Sequence, residues 1–174
     1  MNTVIYIDND NIKFNKYEKI LMNIFKDHNT IYKIFINESD LAKLDDRSKL
    51  KHHIFLCNSL SKYKNSTDIS LLIECMDDIH SNNYTKFIII SNDTDFIPLC
   101  KRIHKDNNTC ELCYDGNFNN YLEEIYDKIY DLSYYEKERL EKERLEKEKL
   151  EKERLKKERL EKEKLDKERL KKKG

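Results

Sequence analysis

The 174 residues carry 34 Lys+Arg and 34 Asp+Glu, but the zero net charge conceals a split: +5 over residues 136–173, with 18 basic side chains against 13 acidic, and −5 over the first 135, with 16 against 21. The tail's apolar content is seven leucines, which leaves the first 135 residues rich enough in apolar side chains for a packed core and excludes a wholly disordered chain. No run approaches the roughly 18–20 apolar residues of a membrane span, and five cysteines without paired spacing exclude a disulfide scaffold and point to reduced thiols in a cytosolic-type compartment.

Thr3-Val-Ile-Tyr-Ile-Asp8 is a β-branched and aromatic run that predicts a buried strand rather than a signal segment. Tyr17, Ile20, Leu21, Ile24 and Phe25 fall at helical spacing. Thr30–Ile36 predicts a second strand, Ser39–Lys51 a weak helix or loop, and Ile54–Cys57 a third short strand. Asp68–His80 carries Ile69, Leu72, Ile73, Met76 and Ile79 as the apolar stripe of an amphipathic helix, with Asp77 and Asp78 on its solvated face. Phe87-Ile-Ile-Ile90 has the continuous apolar character of a central parallel strand. Phe96–Lys105 predicts a helix with Pro98 in its first turn, and Asn107-Asn108 predicts its end, since asparagine accepts a left-handed backbone. Cys110–Tyr114 predicts another strand. Tyr121–Leu132 predicts a closing helix on which Tyr121, Tyr126 and Tyr130 pack. Strands alternating with helices give a three-layer α/β domain over residues 1–135, with a parallel sheet of four to five strands.

Residues 136–174 form a charged low-complexity tail of pentapeptides such as EKERL. A five-residue step turns about 140° net around a helix, so the leucines spiral over the surface and build no coiled-coil seam. Opposite charges at i,i+4 support a long single α-helix. Its positive excess leaves weak contact with RNA or a protein partner as the functional reading, beside a repeat expansion with no specific partner.

Acidic residues stand where parallel strands end. Asp8 closes the first strand, with Asp10 and Asn11 just beyond. Asp93 and Asp95 follow the Phe87–Ile90 strand, and Asp68 opens the amphipathic helix. The carboxyl ends of adjacent parallel strands border one crevice, so chain order alone can bring these carboxylates together. Such a group repels itself unless a divalent cation neutralises it, and hard oxygen ligands favour Mg²⁺ or Mn²⁺. Single aspartates at these places also serve as helix caps.

Tyr6-Ile-Asp8-Asn-Asp-Asn11, Lys64-Asn-Ser-Thr-Asp68 and Ile90-Ser-Asn-Asp-Thr-Asp-Phe-Ile-Pro-Leu99 resemble, in the same order, the motifs of NYN domains within the PIN-like nuclease superfamily, over roughly residues 3–115. The third, similar to S-x-D-x-D-F-x-P-L, is the most specific. The resemblance implies a PIN-like fold and a ribonuclease whose catalytic, metal-holding cluster is Asp8, Asp68, Asp93 and Asp95. Asn11 and Ser91 would support that cluster by hydrogen bonding, and Lys64 would contact phosphate. RNA is the implied partner, cut endonucleolytically to leave a 5′-phosphate and a 3′-hydroxyl. A non-catalytic RNA-binding or scaffold module of the same fold is the alternative. Asp8-Asn-Asp10 also resembles the D-x-D opening of haloacid-dehalogenase-type phosphatases, although Ile12 departs from that pattern. Cys100, His104, Cys110 and Cys113 invite a zinc reading, against which stands core packing, because Cys110 and Cys113 on one strand point to opposite faces. His52-His53 lies in a connector without a visible partner.

Overall fold

A computed structural model describes residues 2–26, 29–57, 65–116 and 120–171. Six strands, β1 (Thr3–Asp8), β2 (Thr30–Ile36), β3 (His53–Leu56), β4 (Lys86–Ile90), β5 (Thr109–Tyr114) and β6 (Lys128–Asp131), form one sheet in the order β3-β2-β1-β4-β5-β6. Every pairing is parallel. The helices are α1 (Phe14–Ile24), α2 (Glu38–Leu41), α3 (Asp46–Lys51), α4 (Ser66–Ser81), α5 (Ile97–Lys105) and α6 (Leu132–Lys171). β1 lies at the centre and is buried along its whole length, as an apolar strand covered on both faces must be.

Alternation along the strands sorts the core into two layers. Val4, Tyr6, Phe87 and Ile89 pack with Leu71, Cys75 and Ile79 of α4 and Leu99, Cys100 and Ile103 of α5. On the opposite face α1 buries Phe14, Tyr17, Ile20 and Leu21. Asparagine stands in for glycine at helix ends: Asn65 before α4, Asn82 after it and Asn107 after α5 all have left-handed φ, of 69°, 53° and 57°. The expectation for Asn107 holds.

Three expectations change. Residues Tyr121–Leu132 are not one helix: a 3-10 turn (Asn120–Glu124) is followed by the edge strand β6, so the sheet has six strands rather than four or five. The i,i+4 aromatic spacing that suggests a helix is used differently. Tyr126 joins the core layer beneath α5, while Tyr130, on the opposite face, stacks edge-on against Phe25 and donates to Glu111 at 2.9 Å.

The buried face of α4 is also rotated from the predicted stripe. Leu71, Cys75, Asp78 and Ile79 are buried, whereas Ile69 and Ile73 are 53% and 59% exposed. The burial of Asp78 is explained by Lys33, which the pleat of β2 points at α4. Its ammonium meets Glu74 at 2.5 Å and Asp78 at 2.6 Å, and Asp78 also accepts a short hydrogen bond from Tyr6 Oη. Asp78 is therefore an interior charge partner and only Asp77 faces solvent. Burial pulls the Lys33 pKa down, but its hydrogen bonds to Asp78 and Glu74 outweigh that and raise it.

Third, His52 is not without partners. It is buried, set edge-on against Phe14 and tilted against Tyr32. All five cysteines are buried free thiols. Cys110 belongs to the layer under α5 and Cys113 does not, while His104 turns to Asp127 at 3.0 Å.

The chain divides into two compact units, Met1–Ser133 and Tyr134–Gly174. In the second, Leu140, Leu145, Leu150, Leu155 and Leu160 are all exposed, as a five-residue step requires. Pairs such as Arg139–Glu143 (2.7 Å) and Lys142–Glu138 (2.8 Å) line the helix, each worth about 0.2–0.5 kcal/mol. Among the described residues no helix is long and apolar enough to cross a membrane.

Candidate functional site

The strand order reverses direction between β1 and β4, and in open parallel sheets the crevice outside the carboxyl ends at such a point is where ligands bind. Asp8 ends β1 there and is 2% exposed. Ser91, one residue past β4 and also buried, donates from Oγ to Asp8 Oδ2 at 2.9 Å. The Asn11 backbone N–H donates to Asp8 Oδ1 at 3.3 Å. Ser91 Oγ in turn accepts from the Asp93 N–H at 3.1 Å, and Asn11 Oδ1 accepts from the Asn92 N–H at 3.2 Å. The two loops are thus tied across the crevice by Ser91 and Asn11.

Asp93 caps the 3-10 turn Thr94–Phe96, accepting from the Asp95 N–H at 2.9 Å. That cap leaves Asp93 half-buried and Asp95 exposed. Asp68 occupies the first turn of α4 and is half-buried, where the partial positive charge of a helix N-terminus favours a carboxylate. It is not the cap, a place held by left-handed Asn65. Lys64 lies outside the described residues.

The carboxylates act on one another. Burial pushes the Asp8 carboxyl up to about 6; the Ser91 and Asn11 hydrogen bonds oppose the rise, and Asp68 and Asp10 add to it. Asp68 is raised by burial, then by Asp93, Asp10 and Asp95. Asp68 is therefore within electrostatic reach of Asp8 on one side and of Asp93 and Asp95 on the other. Among the described residues, no three His, Cys, Asp or Glu side chains are placed to hold a metal ion as they stand. The hydrogen bonds above turn the oxygens of Asp8 and Asp93 toward protein donors.

Asp10 is a member of this group that the sequence motifs do not single out. Its Oδ1 accepts from Asn37 Nδ2 at 2.7 Å and its Oδ2 from Thr67 Oγ1 at 2.6 Å, which joins the loops after β1 and β2 to the start of α4. Its position two residues after Asp8 is the available signal, and in the sequence it suggests a phosphatase acid/base instead. Asn9 has a second unanticipated role. It is buried and accepts from the Phe14 N–H at 2.9 Å, which sets the start of α1.

A chemical fit to a hard divalent cation follows from the donor set alone: carboxylate oxygens, buried at Asp8 and exposed at Asp95, whose mutual repulsion a cation would relieve.

Against known proteins, the family model of the NYN domain matches residues 2–133. The crystal structure of a protein of unknown function from Vibrio parahaemolyticus is similar, with a TM-score of 0.54 at 14% identity, covering 75% of this chain and 91% of that one. At that identity the likeness is one of fold. No curated protein matches the chain. With the family match running from β1 to the first residues of α6, this chain belongs to the NYN domain family.

Proposed function

We propose that this nuclease-type domain is a metal-dependent endoribonuclease, in which Asp8, Asp68, Asp93 and Asp95 hold Mg²⁺ or Mn²⁺. What supports the reading is that Asp8 ends β1 at the switch point of the sheet and that Asp68 is raised by burial and then by Asp93, Asp10 and Asp95. When bound, one or two such ions supply an activated water and neutralise charge at phosphorus.

The chain's own residues supply position. Ser91 and Asn11 fix the Asp8 carboxylate on the sheet. Asp93 and Asp95 sit on the solvent side of the group, where a phosphodiester can approach. Asp10, with both oxygens occupied, holds the loops that flank Asp8 and Asp68. Lys64 is proposed to meet a substrate phosphate. The reaction is hydrolysis of internal RNA bonds to a 5′-phosphate and a 3′-hydroxyl.

One observation favours a second reading, a module that binds RNA without cutting it: as they stand, no three described ligands converge on one point. Circular single-stranded RNA separates the two. With Mn²⁺ or Mg²⁺ the wild-type chain is expected to linearise the circle, and Asp93→Asn and Asp95→Asn each to lose more than about 100-fold, beyond what outer-shell changes cost. Binding of the circle with no linearisation would establish the non-catalytic module.

A further inference from the structure

The body is acidic, yet its charge is not evenly spread. Residues 11–53 hold nine basic and six acidic side chains, a net of +3, while the rest of the first 135 hold seven and fifteen, a net of −8. The positive segment covers α1, α2 and α3. Between α1 and α3 lies an open cleft of about 570 Å³ with Lys19, Lys26, Arg47 and Lys51 on its walls. A second hollow of about 400 Å³ shares Lys26 and Lys51 with it and adds His52 and His53.

Several cations elsewhere in the body are paired, Lys33 with Glu74 and Asp78, Lys86 with Glu111 and Arg102 with Asp106, while the exposed Lys101, Lys105 and Lys128 lie outside any such cleft. Among the described residues Lys19, Lys26, Arg47 and Lys51 form no ion pair within 4 Å; the Lys51 ammonium rests 3.3 Å from the Met22 sulfur. The two acids on the same walls are already engaged. Glu18 accepts from Ser48 Oγ at 2.7 Å, and Asp45 caps α3 through the Ser48 N–H at 2.7 Å. His52 Nε2 is buried without a hydrogen-bond partner, 3.8 Å from Glu18. Four cations against two acids, Glu18 and Asp45, around one concavity leave a net positive wall suited to a polyanion.

α1 links the cleft to the carboxylate site. α1 begins at the loop that carries Asp8, its start fixed by Asn9, and its 11 residues run about 16 Å. At its head Lys13 and Lys43 both bind Asp40, at 2.6 Å each, so two positive charges meet one negative charge between site and cleft. At a stacked spacing of about 3.4 Å per nucleotide, the length of α1 matches four to five phosphates.

Resting on the reading that RNA is the substrate, we propose that the cleft between α1 and α3 is the track for the RNA strand on one side of the scissile bond, with Lys19, Lys26, Arg47 and Lys51 contacting its phosphates. The track explains how an acidic domain holds a polyanion: the carboxylates occupy one end of the sheet and the net-positive cleft lies along α1, away from them.

The test is equilibrium binding of fluorescent single-stranded RNA, longer than about 16 nucleotides, to the full chain in EDTA across a salt series. Wild type is compared with Lys19→Gln/Lys26→Gln/Lys51→Gln and with a charge-matched control, Lys101→Gln/Lys105→Gln/Lys128→Gln, taken from exposed positions outside the cleft. Each lost contact removes about 0.7 from the slope of log K against log salt, so the cleft variant is expected to be shallower by about 2, and its affinity deficit to shrink about 20-fold between about 50 and 200 mM salt. The control is expected to keep the wild-type slope. An unchanged slope in the cleft variant overturns the proposal, as does an equal loss in the control, which would make net charge rather than this cleft the determinant. Because EDTA removes cleavage from the measurement, a failure of circular RNA to be cut leaves this result standing, and the two readings fail separately.

Discussion

Asp8 is a buried carboxyl held among acids, so removing its charge should strengthen the metal-free fold. The Asp8 carboxyl is pushed up to about 6 in the folded chain, against about 3.9 in an unfolded one. The folded state therefore binds this proton more tightly, and its contribution is fully present below about pH 4 and lost as pH rises through about 6. At neutral pH the ionised side chain costs the fold about 3 kcal/mol, from a shift of about two units at 1.36 kcal/mol each. Asp8→Asn keeps the shape and an acceptor while removing the charge. In EDTA at about pH 7.5 it should be more stable by about 2–3 kcal/mol, or about 5–10 °C in Tm for a chain of this size. Mg²⁺ or Mn²⁺ should then reverse the order, because a ligand of the folded state alone stabilises wild type and loses a donor in the variant. Thermal denaturation of wild type and variant, with and without metal, at pH 5 and 7.5, reads these differences. A variant less stable than wild type in EDTA at pH 7.5 would show that the bonds from Ser91 and Asn11 outweigh burial, and the electrostatic account of the site would be wrong.

Ser91→Ala removes the hydrogen bond that most opposes the rise at Asp8; metal affinity or cleavage should fall about 10–100-fold, measured by metal titration and initial rates. Lys33→Met leaves Asp78 and Glu74 facing a buried tyrosine and should cost about 3–5 kcal/mol in denaturant unfolding, while Lys33→Met with Asp78→Leu should regain much of that. An equal cost in the double variant would assign the loss to packing.

The central strands are legible directly, because Val4–Ile7 and Phe87–Ile90 are apolar on both faces and only an interior parallel strand needs that. The proposed site aspartates Asp8, Asp93 and Asp95 follow from strand ends for the same reason: parallel strands deliver their carboxyl ends to one place, while Asp68 is marked by its place in the first turn of α4. β6 is not legible, since four residues, Lys128–Asp131, carry too few alternations to compete with helical spacing of aromatics around them. Asp78 is hidden for a different reason. Its burial depends on Lys33 reaching it from another strand 45 residues away, a pairing no local window contains. Asp10 is visible as a residue but not in its role, because the donors that fix it, Asn37 and Thr67, come from two other segments.

Titration of Mn²⁺ into the metal-free full chain, followed by calorimetry or by the paramagnetic signal of the free ion, tests most directly whether these aspartates form a cation site. Saturable binding at one or two sites, weakened by Asp8→Asn, Asp68→Asn and Asp93→Asn alike, is the result expected. Binding that none of the three substitutions alters, or no saturable binding at neutral pH, would contradict it.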